Sequence, residues 1–306
     1  MTLTELRYIV AVAREKHFGH AAEACFVSQP TLSVAIKKLE EELDVKLFER
    51  GASEVSVTAL GEAIVRQAQI VIEQAAAIRE IAKRGKDPLA GPLKLGIIYT
   101  IGPYLLPDLV KNVIEMSPQM PLMLQEQFTI KLLEMLRTGD LDCAILAEPF
   151  PDTGLAVAPL YDEPFVIAVP KNHPLAKRKT VSAEELKKET MLLLGTGHCF
   201  RDHVLEVCPE YARFSSDAEG IRKSFEGSSL ETIKHMVASG MGVTVVPQLG
   251  MPSEPQQHVA YVRFAAPVPT RRVVLAWRRS FTRYEAIAAL RNAVYACKLD
   301  GVTRLS

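Results

Sequence analysis

Two cysteines in the segment GTGHCFRDHVLEVCPE, residues 195–210, carry the clearest chemistry in this chain. Cys199 and Cys208 have eight residues between them, and that intervening stretch has helical spacing. A helix over 200–207 holds the two thiols roughly 13 Å apart along its axis. A disulfide needs Cα atoms within about 7 Å, so the bond requires the helix to melt. Oxidation and refolding are therefore coupled. Gly195 and Gly197 before the helix and Pro209 after it suit a segment that rearranges. Cys199 falls at the helix N-terminus, where the dipole favours a thiolate, and His198 and Arg201 flank it. Cys208 falls at the unfavourable end. On this reading Cys199 attacks a peroxide and becomes a sulfenic acid. Cys208 resolves it as a disulfide, and a glutathione- or glutaredoxin-type reductant reverses the bond. The competing reading is two small core residues. A zinc site is disfavoured because the thiols are too far apart to share a metal. Gly195-Thr196-Gly197 starts like a dinucleotide loop, but Phe200 stands where the third glycine belongs, and no cofactor is expected.

Five cysteines in 306 residues, at wide spacing, are no disulfide framework. Cys25, Cys143 and Cys297 fall on predicted buried faces and read as packing. Hydrophobic content of 48% with 24% charged residues fits a soluble globular protein, and no apolar run is long enough to span a bilayer. The N-terminus lacks a signal-peptide pattern, so the expected location is the cytoplasm. Net charge is zero, and residues 1–57 hold seven Lys/Arg against nine Asp/Glu. Contact with nucleic acid must then come from a local face.

Such a face exists. Residues 1–57 read as short helices followed by a hairpin. In VSQPTLSVAIKKLEEELDVKLFER, Ser28 is a helix N-cap and Pro30 lies in the first turn. Leu32, Ile36, Leu39 and Leu43 form the buried stripe. The opposite face shows Gln29, Thr31, Ser33, Lys37 and Lys38. A helix, a tight turn and a second helix can place that face in the major groove of double-stranded DNA. Gln29 can pair with adenine, Pro30 can touch a thymine methyl, and Ser28, Thr31 and Ser33 can reach bases or phosphates. Lys37, Lys38 and Arg50 would hold phosphates.

Residues 58–85 predict one long helix. Ile64, Ala68, Val71, Ala75, Ile78 and Ala82 make a heptad seam, which implies pairing with another helix rather than packing on its own domain. GKDPLAGP is a linker. Beyond it, PLKLGII, PLMLQEQF and LDCAILAE alternate with helices as βαβαβ, a parallel pattern. FVIAVP, MLLLG, VTVVP and RRVVLAWRR are further strands, SAEELKKE and SLETIKHMVASG further helices. Two α/β lobes with a cleft between them fit this length.

FGHAAEACFVSQPTLSVAIKKLEEELDVKLFER resembles the N-terminal domain of LysR-type transcriptional regulators, through the paired alanine, SQP, the LE-ended helix and LF-x-R. The resemblance covers the whole chain. It implies a winged helix-turn-helix over 1–58, a dimerisation helix and hinge over 59–90, and a regulatory domain over 91–306. That domain is expected to resemble periplasmic binding proteins, with subdomain I at about 91–163 and 269–306 and subdomain II at about 164–268. It also implies a homotetramer built as a dimer of dimers, and RNA polymerase as a partner. GHCFRD followed by Cys208, with TIGPYLLP, LYDEPF and SSLETIKHMVASG, is similar to the hydrogen-peroxide branch of the family. That likeness implies that Cys199 is peroxidatic and Cys208 resolving. Gly197, His198, Arg201 and Asp202 then support the thiols, and Thr100 and Thr129 hold hydrogen peroxide. Both threonines follow predicted strands and precede helices, so plain capping is their alternative role. The expected function is a peroxide-responsive activator of antioxidant genes. A metabolite-responsive regulator with inert cysteines and a thiol peroxidase are the other readings.

Overall fold

The computed structural model describes residues 1–50, 55–84, 89–151, 154–209, 224–227 and 229–305. Its first domain packs three helices, α1 (Leu3–Glu15), α2 (Phe18–Ala24) and α3 (Gln29–Leu43). Each begins at a side-chain cap. Thr2 and Glu5 form a capping box, His17 accepts from Gly19 and His20, and Ser28 accepts from Thr31. These bonds occupy N–H groups that the first helical turn leaves without partners. Leu32, Ile36 and Leu39 of α3 meet Leu6, Ile9 and Val12 of α1 in one core. Burying each such side chain stabilises by about 1.5–3 kcal/mol. Asp44, at φ 53°, ends α3 in the left-handed region. The Glu40 carboxylate then accepts from Leu47 N at 2.7 Å, which sets the hairpin β1 (Phe48–Arg50) and β2 (Val55–Val57) beside the core. Residues 51–54 of the predicted wing and the Arg50 side chain lie outside the described residues.

The long helix α4 runs from Ala59 to Arg84. Its predicted seam is split, which corrects the expectation of one continuous pairing face. Ala68 is 3% exposed and packs with half-buried Ile64 on the chain's own N-terminal core. The cause is α1, which lies against the first half of α4 and claims that face. Farther along, Ala75 is half-buried, while Val71 at 37% and Ile78 at 69% are exposed. The Ala82 side chain lies outside the described residues. On another face of α4, Glu73 meets Arg278 at 2.7 Å and accepts from Ser280 Oγ at 2.7 Å. The linker helix is thereby pinned to the regulatory domain.

In that domain β3 (Leu93–Ile98), β4 (Leu122–Gln127) and β5 (Cys143–Glu148) are parallel, in the order β4-β3-β5. Helices α5 (Gly102–Met116) and α6 (Thr129–Thr138) make the crossovers. The sheet is mixed beyond this core. Strand β6 (Ala156–Pro170) has 15 residues. Its first part pairs antiparallel with β12 (Thr270–Trp277) from Ala156 to Pro164. From Phe165 onward it pairs with β10 (Thr244–Pro247) and β11 (Val259–Phe264). One strand therefore serves two lobes, each with its own apolar core. The second lobe adds β7 (Thr180–Val181) beside β11, and β8 (Met191–Leu194) paired with β9 (Ser224–Gly227). Helix α7 is only Ala183–Leu186, shorter than SAEELKKE predicts, because Leu186 alone supplies a buried anchor. The remaining α-helices among the described residues are α8 (Cys199–Val207), α9 (Leu230–Ala238) and α10 (Tyr284–Tyr295). The short strand β13 (Thr303–Arg304) closes the chain on β6.

Candidate functional site

Two faces of the molecule carry the residues singled out by sequence. On α3, Gln29, Pro30, Thr31, Lys37 and Lys38 are exposed, and Ser33 is half-buried. Ser28 Oγ lies 2.8 Å from Thr31 Oγ1, so these two hydroxyls occupy each other as well as the cap. Lys37 pairs loosely with Glu41 at 3.7 Å, an exposed contact of little strength. Two exposed apolar side chains lie near these residues in the chain. Phe26 is 96% exposed at φ 56° in the turn before α3, and Val34 is 68% exposed. Their pattern in sequence is that of core residues, which is why the reading of polar positions passed them over.

The second face lies where the carboxyl ends of β3 and β4 meet the start of α8, the edge at which open α/β sheets bind ligands. Thr100 stands in the turn after β3, Thr129 is the first residue of α6, and Cys199 is the first residue of α8. Together with Gly197 and His198 they line a cavity of about 10 Å³. That is room for about one water-sized molecule. Gly197 reaches this position at φ 97°, a conformation that a side chain rarely adopts. The His198 ring stands edge-on to Phe128 at 4.8 Å and to Tyr99 at 5.8 Å. It offers no capping bond to α8.

Neither threonine is a helix cap. The N-cap positions of α5 and α6 are Ile101 and Phe128, with no side-chain cap at either. Thr100 Oγ1 instead accepts from Arg271 Nη1 at 2.9 Å, which leaves its own hydrogen for another acceptor. Thr129 Oγ1 is buried, with no hydrogen-bond partner of good geometry among the described residues. Its hydroxyl lies beside the Cys199 sulfur and favours the thiolate there.

Arg271 belongs to this site and was not among the predicted residues. It is 2% exposed and lies 2.8 Å from Glu163, which is fully buried. Its Nη2 also donates to Thr100 O at 2.9 Å, and its guanidinium covers the Phe200 ring at 5.0 Å. Glu163 accepts from Leu249 N at 2.9 Å as well. The sequence holds a faint sign of the pair. An Arg at an inward position of TRRVVLAW must find a partner, and YDEPF offers two carboxylates.

The expectation for the Cys199 thiol is corrected. Burial pushes its pKa above the ordinary value, against the helix terminus that was expected to lower it. The Thr129 hydroxyl and then the Arg271 charge pull the other way, while the Asp202 carboxylate adds to the rise. His198 and Arg201, the flanking residues in sequence, are not the groups that oppose the burial. His198 is turned into the aromatic contacts, Arg201 is half-buried, and Asp202 is exposed.

Cys208 closes α8 as its C-cap and is fully buried in the second lobe. Cys199 packs against the core of the first. Neither thiol is in a disulfide. Nine residues of helical rise hold them roughly 13 Å apart. Cys143 and Cys297 are buried as expected, at 0% and 2%. Cys25 is only half-buried, because it ends α2 at the domain surface.

Comparison with known proteins places these faces in context. Residues 3–62 match the bacterial regulatory helix-turn-helix domain of the lysR family, and residues 86–296 match the LysR substrate binding domain. The chain is 39% identical over 305 residues to the DNA-binding transcriptional dual regulator OxyR of Escherichia coli K12, covering 98% of this chain and 97% of that one. The hydrogen peroxide-inducible genes activator of Haemophilus influenzae is 36% identical over 306 residues, 99% of this chain and 100% of that one. Among solved structures, a full-length cysteine-to-aspartate variant of OxyR from Pseudomonas aeruginosa is 51% identical and superimposes with a TM-score of 0.77, covering 97% of this chain and 98% of that chain. A cysteine-to-serine mutant of Corynebacterium glutamicum OxyR bound to hydrogen peroxide is 34% identical, with a TM-score of 0.63 over 96% of this chain and 91% of that chain.

Proposed function

This chain belongs to the LysR family of bacterial helix-turn-helix regulators, and from that premise we propose that it is a DNA-binding sensor of hydrogen peroxide. The observation that carries the reading is the pair of thiols at opposite ends of α8, one of them beside a cavity of about 10 Å³ lined by the side chains of Thr100 and Thr129. A peroxide molecule in that cavity accepts from Thr129 Oγ1 and from the Thr100 hydroxyl. Gly197 and His198 shape the cavity wall, and Arg201 and Asp202 flank the sulfur. The Cys199 sulfur attacks one peroxide oxygen, the O–O bond breaks, and the thiol proton leaves with the departing oxygen as water. Cys199 is then a sulfenic acid. Once α8 opens, the Cys208 sulfur attacks the Cys199 sulfur and a second water departs. The net change is one peroxide and two thiols to one disulfide and two waters. Burial raises the Cys199 pKa, and the Thr129 hydroxyl and the Arg271 charge oppose that rise, so these two groups favour the loss of the thiol proton that the attack requires.

The disulfide refolds residues 195–210 and alters how the assembly holds promoter DNA, activating antioxidant genes. Gln29, Pro30, Thr31, Ser33, Lys37, Lys38 and Arg50 contact the duplex, with Ser28 fixing the helix start. Two separate apolar faces support a homotetramer. One is the far half of α4, with Val71, Ala75 and Ile78. The other is the free sheet edge at β4, where Met123 is 54% exposed, next to Ile114 at 62% and Ile130 at 66%. The protein works in the cytoplasm, with RNA polymerase as a partner and a glutaredoxin- or glutathione-type reductant to reset it. No helix among the described residues is long and apolar enough to cross a membrane.

The test is peptide mass spectrometry on reduced protein after one equivalent of hydrogen peroxide, with thiols trapped within seconds. The expected product is a Cys199–Cys208 crosslink, with Cys25, Cys143 and Cys297 still alkylatable. C208S stops at a Cys199 sulfenic acid. If both thiols of the wild type remain alkylatable, the sensor reading fails.

A further inference from the structure

Helix α8 bridges two bodies. Phe200, Val204 and Cys208 are buried in the core of the second lobe. His203 lies one helical turn beyond Cys199, on the same face of the helix. Its Nε2 meets Glu148 O at 2.8 Å. Glu148 is the last residue of β5, in the first lobe. A carbonyl oxygen only accepts, so Nε2 carries the proton and the neutral ring leaves Nδ1 bare. Nδ1 is buried and has no partner among the described residues. The ring is 6% exposed, 6.2 Å from the Phe165 ring and 6.5 Å from Phe200.

We infer that His203 is a positioning residue for the switch, a clamp that ties α8 to the first lobe and sets the barrier to the unwinding that brings Cys208 to Cys199. The inference rests on the peroxide-sensor reading above. The geometry makes the clamp both specific and releasable. One oriented hydrogen bond joins the lobes through this ring. The other ring nitrogen gains nothing while the helix is closed and gains water when it opens. A leucine would fill the same space without the bond. A glutamine carries an amide donor on a side chain of similar reach.

The experiment separates the two steps of the reaction in the full-length chain. Sulfenic acid at Cys199 is timed by a carbon-acid trap, and the Cys199–Cys208 crosslink by rapid acid quench and mass spectrometry. In H203L the crosslink is expected to form roughly tenfold faster than in the wild type, as loss of one hydrogen bond implies. The sulfenic acid forms at an unchanged rate. H203Q restores the wild-type closing rate. Equal closing rates in H203L and the wild type overturn the clamp. So does an equal change in both steps, which marks general damage to the fold. Hydrogen exchange of the α8 amides in reduced protein reads the clamp without peroxide. The same tenfold acceleration is expected in H203L and not in H203Q. If the wild type forms no sulfenic acid, the sensor reading fails, and exchange still decides the clamp: faster α8 exchange confined to H203L upholds it, and unchanged exchange overturns it.

Discussion

Helices α3 and α8 both present chemistry at their first turn, yet they are secured in opposite ways. Ser28 caps α3, Pro30 stiffens its first turn, and Asp44 ends it in a left-handed residue. Its stripe of Leu32, Ile36 and Leu39 enters a single core. His198 offers α8 no side-chain cap, and Cys208 ends it at φ −129° without a left-handed residue. Its contacts divide between two lobes. Each cap or closing motif omitted is a fraction of a kcal/mol to about 2 kcal/mol not invested. On the proposed reading, α3 meets DNA and is held in one shape, while α8, which would have to open for its two sulfurs to meet, carries fewer closing motifs.

The largest test of this contrast is in the stripes. L32A should destabilise the N-terminal domain by about 2–5 kcal/mol, since a single tight core cannot close over the gap. Thermal unfolding of that domain and loss of DNA binding would report it together. V204A should speed hydrogen exchange in α8 and leave unfolding of the N-terminal domain where it was. If V204A lowers both, the two helices are not independently secured.

A pH titration sharpens the contrast further. Burial holds the pKa of His203 below its ordinary value of 6.5; the bond to the Glu148 carbonyl opposes this most, the Arg271 charge adds to it, and the Glu206 and Asp202 charges oppose it further. When α8 opens, the ring returns to the ordinary value. The closed state is therefore fully favoured above about pH 6.5 and loses stability as pH falls toward the lower value of the folded ring. Exchange of α8 amides, corrected for intrinsic rates, should accelerate through that window in the wild type and stay flat in H203Q. Exchange in α3, which carries no histidine, should not follow it.

The smallest effect is at the cap. S28A should cost the N-terminal domain about 1 kcal/mol. Equilibrium urea unfolding measures it, and an unchanged midpoint would mean that Pro30 and the core alone fix the start of α3.

What sequence could show here follows from how far apart the interacting groups lie along the chain. The stripe of α3, the Ser28 cap and the βαβαβ alternation are local patterns and appear where they were read, although Leu43, at the end of the stripe, is only half-buried. The dipole at Cys199 is also local, but the desolvation that overrides it comes from packing between lobes. Thr100 looks like a cap because caps are local. Its actual bond is to Arg271, 171 residues away. Strand β6 was read only from Phe165 onward, since Asp162, Glu163 and Pro164 resemble a break. Glu163 is buried there because Arg271 neutralises it across 108 residues of chain. The seam of α4 is a periodic signal that cannot say whether its partner is another chain or α1.

Arg271, bonded to Thr100 of the thiol site, lies near the start of β12, and Arg278, against Glu73 of the linker helix, directly follows its end. Seven residues of extended chain fix their separation at roughly 23 Å. That strand is hydrogen-bonded along its length, to β5 on one side and β6 on the other. It can neither stretch nor slip past its neighbours without breaking a ladder. The thiol and the base of the DNA-binding arm are thus surveyed from one datum. On the proposed reading, a rearrangement at the thiol leaves that separation unchanged and can reach the linker helix only as a change of direction.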